Sequence, residues 1–462
     1  MLVPTVISEE GMGFAALKMD GTAVAWGDER FSGITADFNE TNANELNNIK
    51  TIFTNRYTFA ALKNDGTVYT WGRNADSSGT YASDSSGVQD KLNDVVSITG
   101  NSDSMAALKS DGTVVAWGEE RSGGDTSVVW DSGWRQPIAQ DTPVKDVKAL
   151  FSTGYAYAAL TNDDTVITWG NKRYGGDSSV IFENSGSSGG PEADTFTDNL
   201  TPVVNIKTIV GSEGAFAALT HDGKVITWGG GSYGGYVTYN NDQSIPLTDI
   251  DAIYATDRAF AAVNGDGEVI TWGQGSYGGD SNLNNSKTLD SVKTIASGQD
   301  GFAALKNDGS IAAWGASLND ESNATGPLTN IIELYSSYHI GFAGINQNRE
   351  AVYWGYQGDQ ACSEQQPLVD IDTIVPSEAA YAALTYSGNV ITWGVCDRGG
   401  DSSAVQQELT DIQAIYATEQ ALAAVKLDGT GVVTWGTDNY GGDSSEVKDL
   451  LVVTEAEYKV AK

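Results

Sequence analysis

The pair Trp-Gly recurs ten times along the chain, at Trp26, Trp71, Trp117, Trp169, Trp228, Trp272, Trp314, Trp354, Trp393 and Trp435. Successive members stand 45, 46, 52, 59, 44, 42, 40, 39 and 42 residues apart, and only Trp130 and Trp134 lie outside the series. A unit of this size cannot bury both of its faces alone, so its stability must come from stacking against neighbouring units. The recurrence therefore argues for one continuous array rather than for the several domains that 462 residues would otherwise suggest.

Each unit carries the same inner pattern. Twelve residues before the first nine tryptophans stands a large apolar side chain: Phe14, Phe59, Met105, Tyr157, Phe216, Phe260, Phe302, Phe342 and Tyr381; Leu422 fills the place in the tenth. An apolar arm with the sequence Ala-Ala-Leu or a close variant follows, then a turn, then a second arm ending in Trp-Gly. Seven turns contain Asp-Gly, beginning at Asp20, Asp65, Asp111, Asp222, Asp266, Asp308 and Asp428. Tight hairpin turns require positive φ, which glycine adopts freely, so each unit is expected to contain a β-hairpin. The departures, Asp163-Asp164, Asn348-Arg349 and Ser387-Gly388, are expected to keep the turn under some strain.

Alternation along Phe-Ala-Ala-Leu puts the aromatic residue and the second alanine on one face, the first alanine and the leucine on the other. Small residues recur just before the tryptophan, as at Thr227 and Ala313. The pattern predicts close sheet packing, with Trp and Phe filling the wedge between sheets. A further apolar stretch precedes each hairpin, as in IKTIF at 49–53 and IQAIY at 412–416, and reads as another strand. The link after Trp-Gly often reads YGGDSSxV, and its continuation VQQEL suits either a short helical turn or a fourth strand. Two long links, one holding Trp130 and Trp134 and one containing ENSGSSGGPEAD at 183–194, read as surface insertions. The tenth unit has one extra residue between turn and tryptophan, and Gly431 there suggests a bulge.

The stretch IKTIFTNRYTFAALKNDGTVYTWGRN, residues 49–74, resembles the repeat of the RCC1 (regulator of chromosome condensation) family, and the similarity recurs over nearly the whole chain. The resemblance implies an all-β, β-propeller-like array of ten RCC1-like blades of about 40–50 residues each, with about four strands per blade. Family repeats usually continue Trp-Gly-x-Asn-x-x-Gly-Gln-Leu-Gly; here Tyr174–Ser179 and Tyr440–Ser445 read YGGDSS, with variants at 123–125, 277–281 and 399–403. Family rings commonly close at seven blades. Ten units, with both chain ends in phase with the repeat, are compatible with an open or spiral array, a ring larger than seven blades, or a piece of a longer protein. Residues 1–450 are read as a single continuous array, and 451–462 as the start of a degenerate eleventh repeat or a capping strand.

The 26 Lys and Arg against 61 Asp and Glu give a net charge of −35. This charge repels phosphate backbones and anionic lipid, so neither nucleic acid nor a membrane surface is expected as a partner. No stretch of about 18 apolar residues and no basic, apolar leader is present, so no membrane insertion is expected. Cys362 and Cys396 fall in neighbouring repeats, where one bridge is open to them. The compartment is read as extracellular or cell surface, with the cytoplasm as the alternative.

Two histidines, His221 and His339, and two cysteines leave nucleophilic catalysis without a base, so no enzyme activity and no catalytic residue are expected. Glu119-Glu120 and Asp163-Asp164 sit in or beside turns and read as ordinary solvated acids, and His221 as an exposed turn residue. No cofactor or metal site is assigned; weak Ca2+ binding by repeated Asp and Ser oxygens is the one metal reading considered. The candidate partner-binding loops carry Tyr174, Asp177, Tyr233, Tyr277, Asp280, Asp401, Tyr440 and Asp443. They suit a binding scaffold for a protein or glycan. The alternative is a structural spacer within a larger exported adhesin- or toxin-like protein. Nucleotide exchange or chromatin binding, implied by the resemblance alone, ranks below both.

Overall fold

The computed structural model describes residues 12–18, 20–27, 34, 38–73, 82–130, 138–139, 144–182, 196–198, 203–236, 247–281, 289–316, 321–355, 361–362, 367–427 and 431–451. The expected insertion at 183–194, Trp134, the turn residue Asp428 and all but the first residue of the expected capping strand at 451–462 lie outside them. The chain is all-β, a β-propeller-like array of ten sheets, one per Trp-Gly unit. It falls into two compact units, Met1–Ile98 with Tyr335–Lys462, and Thr99–Leu334.

Repeat 5, in the unit Thr99–Leu334, shows how a blade is built. Its strands are Ile206–Gly211, Ala215–Thr220 and Val225–Gly230. Phe216 lies directly opposite Trp228 and Ala217 opposite Thr227, and the two rings stack with centroids 5.2 Å apart. The alternation then decides what each face meets. Ala215, Ala217 and Leu219 pack against Ile250, Ile253, Phe260, Ala262 and Trp272 of repeat 6. The opposite face, Phe216, Ala218 and Trp228, packs against Ala156, Ala158 and Leu160 of repeat 4. A small-residue face thus meets an aromatic face at each joint, because two rows of rings could not fit in one gap. In the unit Met1–Ile98 with Tyr335–Lys462, the tenth repeat offers Ala421 and Ala423 to Phe14, Val24 and Trp26 of the first. Burying one such ring removes roughly 150–250 Å2 from water, worth about 4–6 kcal/mol before entropic costs.

A hydrogen bond completes each of these joints. Trp228 Nε1 donates to the carbonyl of Gly175 in the preceding repeat at 3.1 Å. Trp169, Trp272 and Trp314 donate likewise to Gly123, Gly234 and Gly278 at 2.9, 3.1 and 3.0 Å. In the other unit Trp435 donates to Gly399 at 3.0 Å and Trp26 to Gly441 at 3.1 Å. The acceptor is the first glycine of the Gly-Gly pair. At Gly175 the backbone has φ 97°, and an added Cβ would stand 2.6 Å from the Phe216 ring; at Gly176 it would stand 2.6 Å from the backbone of Gly170. Neither position admits a side chain. Among the described residues three buried indoles, those of Trp71, Trp354 and Trp393, lack a hydrogen-bond partner, and each follows a repeat whose sequence lacks Gly-Gly.

The hairpin turns add a second joint. The carbonyl at the turn accepts the first amide of the next repeat's opening strand, as in Ile250 N to Gly223 O and Ile412 N to Gly388 O, both 2.9 Å. The residue before that strand takes positive φ, as at Asn48, Asp94, Asp249 and Asp411. The departures Asp164 and Arg349 hold φ 61°, so those turns persist in the strained form expected of them.

Three details go beyond or against the sequence reading. The extra residue of repeat 10 lies in the turn: pairing runs unbroken from Val425↔Val432 to Ala421↔Gly436, so Gly431 makes no bulge. A longer turn absorbs a residue without dislodging the packed strand. The stretch VQQEL forms turns, with Glu408 N donating to Val405 O at 2.8 Å. Outer strands do form elsewhere: Ile181 and Phe182 pair in parallel with Gly229 and Gly230, handing residues after one Trp-Gly to the next blade. Cys362 and Cys396 are disulfide-bonded, tying such an outer strand, Ala361–Cys362, to repeat 9.

Two outcomes follow. Trp228→Phe should cost about 1–3 kcal/mol more in denaturant unfolding than Trp71→Phe, because the first leaves the buried Gly175 carbonyl unpaired and the second removes an indole N–H that has no partner. Cys362→Ser should lower stability by about 3–4 kcal/mol for a closed loop of this length, read as loss of protection from hydrogen exchange at 361–362 and 390–396.

Candidate functional site

Between the first and second strands of each repeat the chain makes a short turn, and these turns are linked from repeat to repeat. In the unit Thr99–Leu334, Ser102 N donates to Gly154 O, Gly154 N to Glu213 O, Glu213 N to Asp257 O and Asp257 N to Gln299 O, at 2.9–3.2 Å. In the other unit His339 N donates to Glu378 O at 2.8 Å and Glu378 N to Glu419 O at 3.0 Å. This ladder fixes the side chains of the turns in a row.

Within each unit the tyrosines of the YGG links are brought to that unit's own row of turns. Each ends a short 3-10 turn, Lys172–Tyr174, Gly231–Tyr233, Gly275–Tyr277 or Asp438–Tyr440. Each tyrosine carbonyl is held by a hydroxyl from the turn: Thr153 on Tyr174, Ser212 on Tyr233 and Thr256 on Tyr277, all at 2.8 Å, and Thr418 on Tyr440 at 3.0 Å. These Ser and Thr residues, three before the second strand, were missed in the sequence although they recur at one position.

In Thr99–Leu334 the result is a continuous line of rings. Tyr155 meets Tyr174 at 4.6 Å and Tyr174 meets Tyr233 at 5.5 Å between centroids. The Arg258 guanidinium then lies 5.0 Å from the Tyr233 centroid and 5.1 Å from that of Tyr277. Glu213 pairs with Arg258 at 3.6 Å. Burial, helped by Tyr174 and Glu213, pushes the Tyr233 phenol well above its ordinary range, so it stays neutral. Three predicted residues, Tyr174, Tyr233 and Tyr277, are therefore brought together; Arg258 and Glu213 were not foreseen.

Tyr440, in the other unit, lies among charges. Burial and the nearby Glu419 and Glu378 raise its phenol. Arg56 pairs with Glu419 at 3.3 Å and His339 with Glu378 at 2.8 Å. Against the cost of burial, the His339 hydrogen bond holds the Glu378 carboxyl below its usual range.

Three of the predicted aspartates accept hydrogen bonds within their own loops. Asp177 accepts from the amide and hydroxyl of Ser179 at 2.9 and 2.5 Å and pairs with Lys172 at 3.4 Å. Asp401 accepts from Ser403 N and Asp443 from Ser445 N, both at 2.8 Å. Asp280 follows Gly278-Gly279 in the same position. Among the described residues no three His, Cys, Asp or Glu side chains gather as a metal site, and no helix is long and apolar enough to cross a membrane. His221, half exposed, pairs with Asp164 at 3.2 Å.

No protein-family model matches the chain, nor does any curated protein sequence. Solved structures similar to it include the CRINKLY WD40 ectodomain of the receptor kinase ACR4 from Arabidopsis thaliana, at 17% identity over 63% of this chain and 91% of that one, TM-score 0.32. Prp20p from Saccharomyces cerevisiae matches at 15% identity over 72% and 90%, TM-score 0.36. Human WBSCR16 matches at 15% identity over 78% and 90%, TM-score 0.37. At such TM-scores the likenesses carry no argument, and the fold stands on the ten sheets.

The aspartates of the hairpin turns, at the opposite end of the second strand from the tyrosine row, give the fold a pH signature. The Lys224 and Thr220 hydrogen bonds hold Asp222 down to about 2; hydroxyl and amide bonds from Thr67 and Thr113 hold Asp65 and Asp111 below the usual range. A carboxyl depressed in the folded state contributes stability above its unfolded value, about 3.9, and loses it as pH falls toward the folded one. The melting temperature should hold as pH falls from 7 to 5 and drop below about 4, and the Asp222 carboxyl should titrate in carbon NMR near 2.

Proposed function

We propose that the chain is a non-enzymatic binding scaffold of the RCC1-like repeat type, taking a protein or glycan on the edge where the linked turns lie. The observation that carries this is the line Tyr155, Tyr174, Tyr233, Arg258, Tyr277. Tyrosine and arginine are the side chains that binding surfaces favour, because each combines a large apolar face with a polar end at low entropic cost. Tyr174, Tyr233 and Tyr277 pack partly on the cores of their joints and are only half-buried there, so part of each ring remains for a partner.

The Cys362–Cys396 bridge supports an extracellular or cell-surface setting, since disulfides persist in oxidising compartments. It also favours the second reading, a spacer within a larger exported protein. Nucleotide exchange and chromatin binding gain nothing from the line of tyrosines, and the net charge of −35 opposes DNA.

Affinity capture with the wild-type chain and with Tyr233→Ala/Tyr277→Ala separates scaffold from spacer. The scaffold reading expects a partner retained by the wild type and retained at least tenfold less by the folded double variant, as two hot-spot truncations of about 1–2 kcal/mol each would give. Equal retention by both, or none by either, would overturn it.

A further inference from the structure

We infer that Tyr233, Tyr277 and Glu213 form a guanidinium slot that receives an arginine side chain of a basic partner polypeptide, and that Arg258 fills the slot in the unbound chain. The inference rests on the scaffold reading and names its partner's chemistry.

The slot has the parts that recognise a guanidinium. Two tyrosine rings flank the Arg258 guanidinium at 5.0 and 5.1 Å, within the range where a ring face attracts a cation. Glu213 supplies the carboxylate. The Tyr233 ring is wedged in place: a Cβ added at Gly214 or at Gly230 would stand 2.7 Å from it, so only glycine at these two positions leaves room for the ring.

The resident arginine is held by the two rings and makes no close hydrogen bond to the carboxylate. Its Nε is buried without a hydrogen bond, and the approach to Glu213 at 3.6 Å is too long for one. A partner's arginine arriving from solvent can meet the carboxylate with the paired N–H donors of its fork, a stronger geometry than the single long contact it replaces. Lysine has no fork and would do less well. Charge favours the exchange: 61 acidic residues against 26 basic ones attract a basic segment and leave Arg258 free to turn to solvent once displaced.

Isothermal titration calorimetry with N-acetyl-arginine amide tests this. Arg258→Ala should bind the probe at least tenfold more tightly than the wild type. Glu213→Gln in that background should return the affinity to the wild-type level, and N-acetyl-lysine amide should bind more weakly than the arginine probe. Arg258→Lys, which keeps a cation but loses the fork, should lie between wild type and Arg258→Ala and serves if the alanine variant unfolds. Affinity unchanged in the folded Arg258 variants, or insensitive to Glu213→Gln, overturns the slot. Loss of captured partner on removing the tyrosines, with no gain on removing Arg258, would leave the scaffold reading standing and the slot refuted; a gain for the probe on removing Arg258, with no loss of partner on removing the tyrosines, would refute the scaffold reading and with it a partner's arginine as the occupant.

Discussion

The hydrogen bond from an indole N–H to the first glycine of the preceding repeat's Gly-Gly pair is the contact on which the rest of the structure depends. It can form only where the glycine backbone takes positive φ and carries no side chain, since a Cβ there would enter the next repeat's aromatic ring. One short motif therefore sets three things together: the spacing of adjacent sheets, the pairing of an aromatic face with a small-residue face, and the exit direction of the chain. Among the described residues, the indoles of Trp71 and Trp393, which follow repeats without the motif, have no hydrogen-bond partner. Other contacts hold those joints, Phe38 against Trp71 in one case and Tyr353 against Trp393 in the other.

The same motif displays the tyrosines. A 3-10 turn before the glycine ends in Tyr174, Tyr233, Tyr277 or Tyr440, and its carbonyl is held by a hydroxyl from the linked turns. The joint that stabilises the array and the surface that can meet a partner are thus two sides of one segment. The function can vary through the turn residues, Glu213 and Arg258 among them, without disturbing the packed joint.

Much of this was legible in the sequence because the repeat writes it ten times. Hairpins follow from Asp-Gly, the two faces from alternation in Phe-Ala-Ala-Leu, and the wedge from tryptophans at fixed distance from the turn. The strain of Asp164 and Arg349 was legible too, since both stand where glycine is the rule. What was not legible depends on geometry between repeats. Nothing in the composition of YGGDSS says that its first glycine accepts a hydrogen bond from the following tryptophan, or that Arg258 reaches two tyrosines 25 residues before and 19 after it in the chain. Gly431 misled because one extra residue reads the same in a strand as in a turn, and packing decides between them in favour of the turn. That Asp177, Asp401 and Asp443 bond the amide two residues on in their own links was not legible either, although the recurrence of the motif was.

A double-mutant cycle between Gly175→Ala and Phe216→Leu tests the central claim most directly. If the first glycine is a joint against the next repeat's ring, trimming Phe216 should relieve part of the cost of the new Cβ, and the two changes should couple by at least about 1 kcal/mol. Additivity within about 0.3–0.5 kcal/mol would show that Gly175 answers only to its own backbone, and would contradict the account.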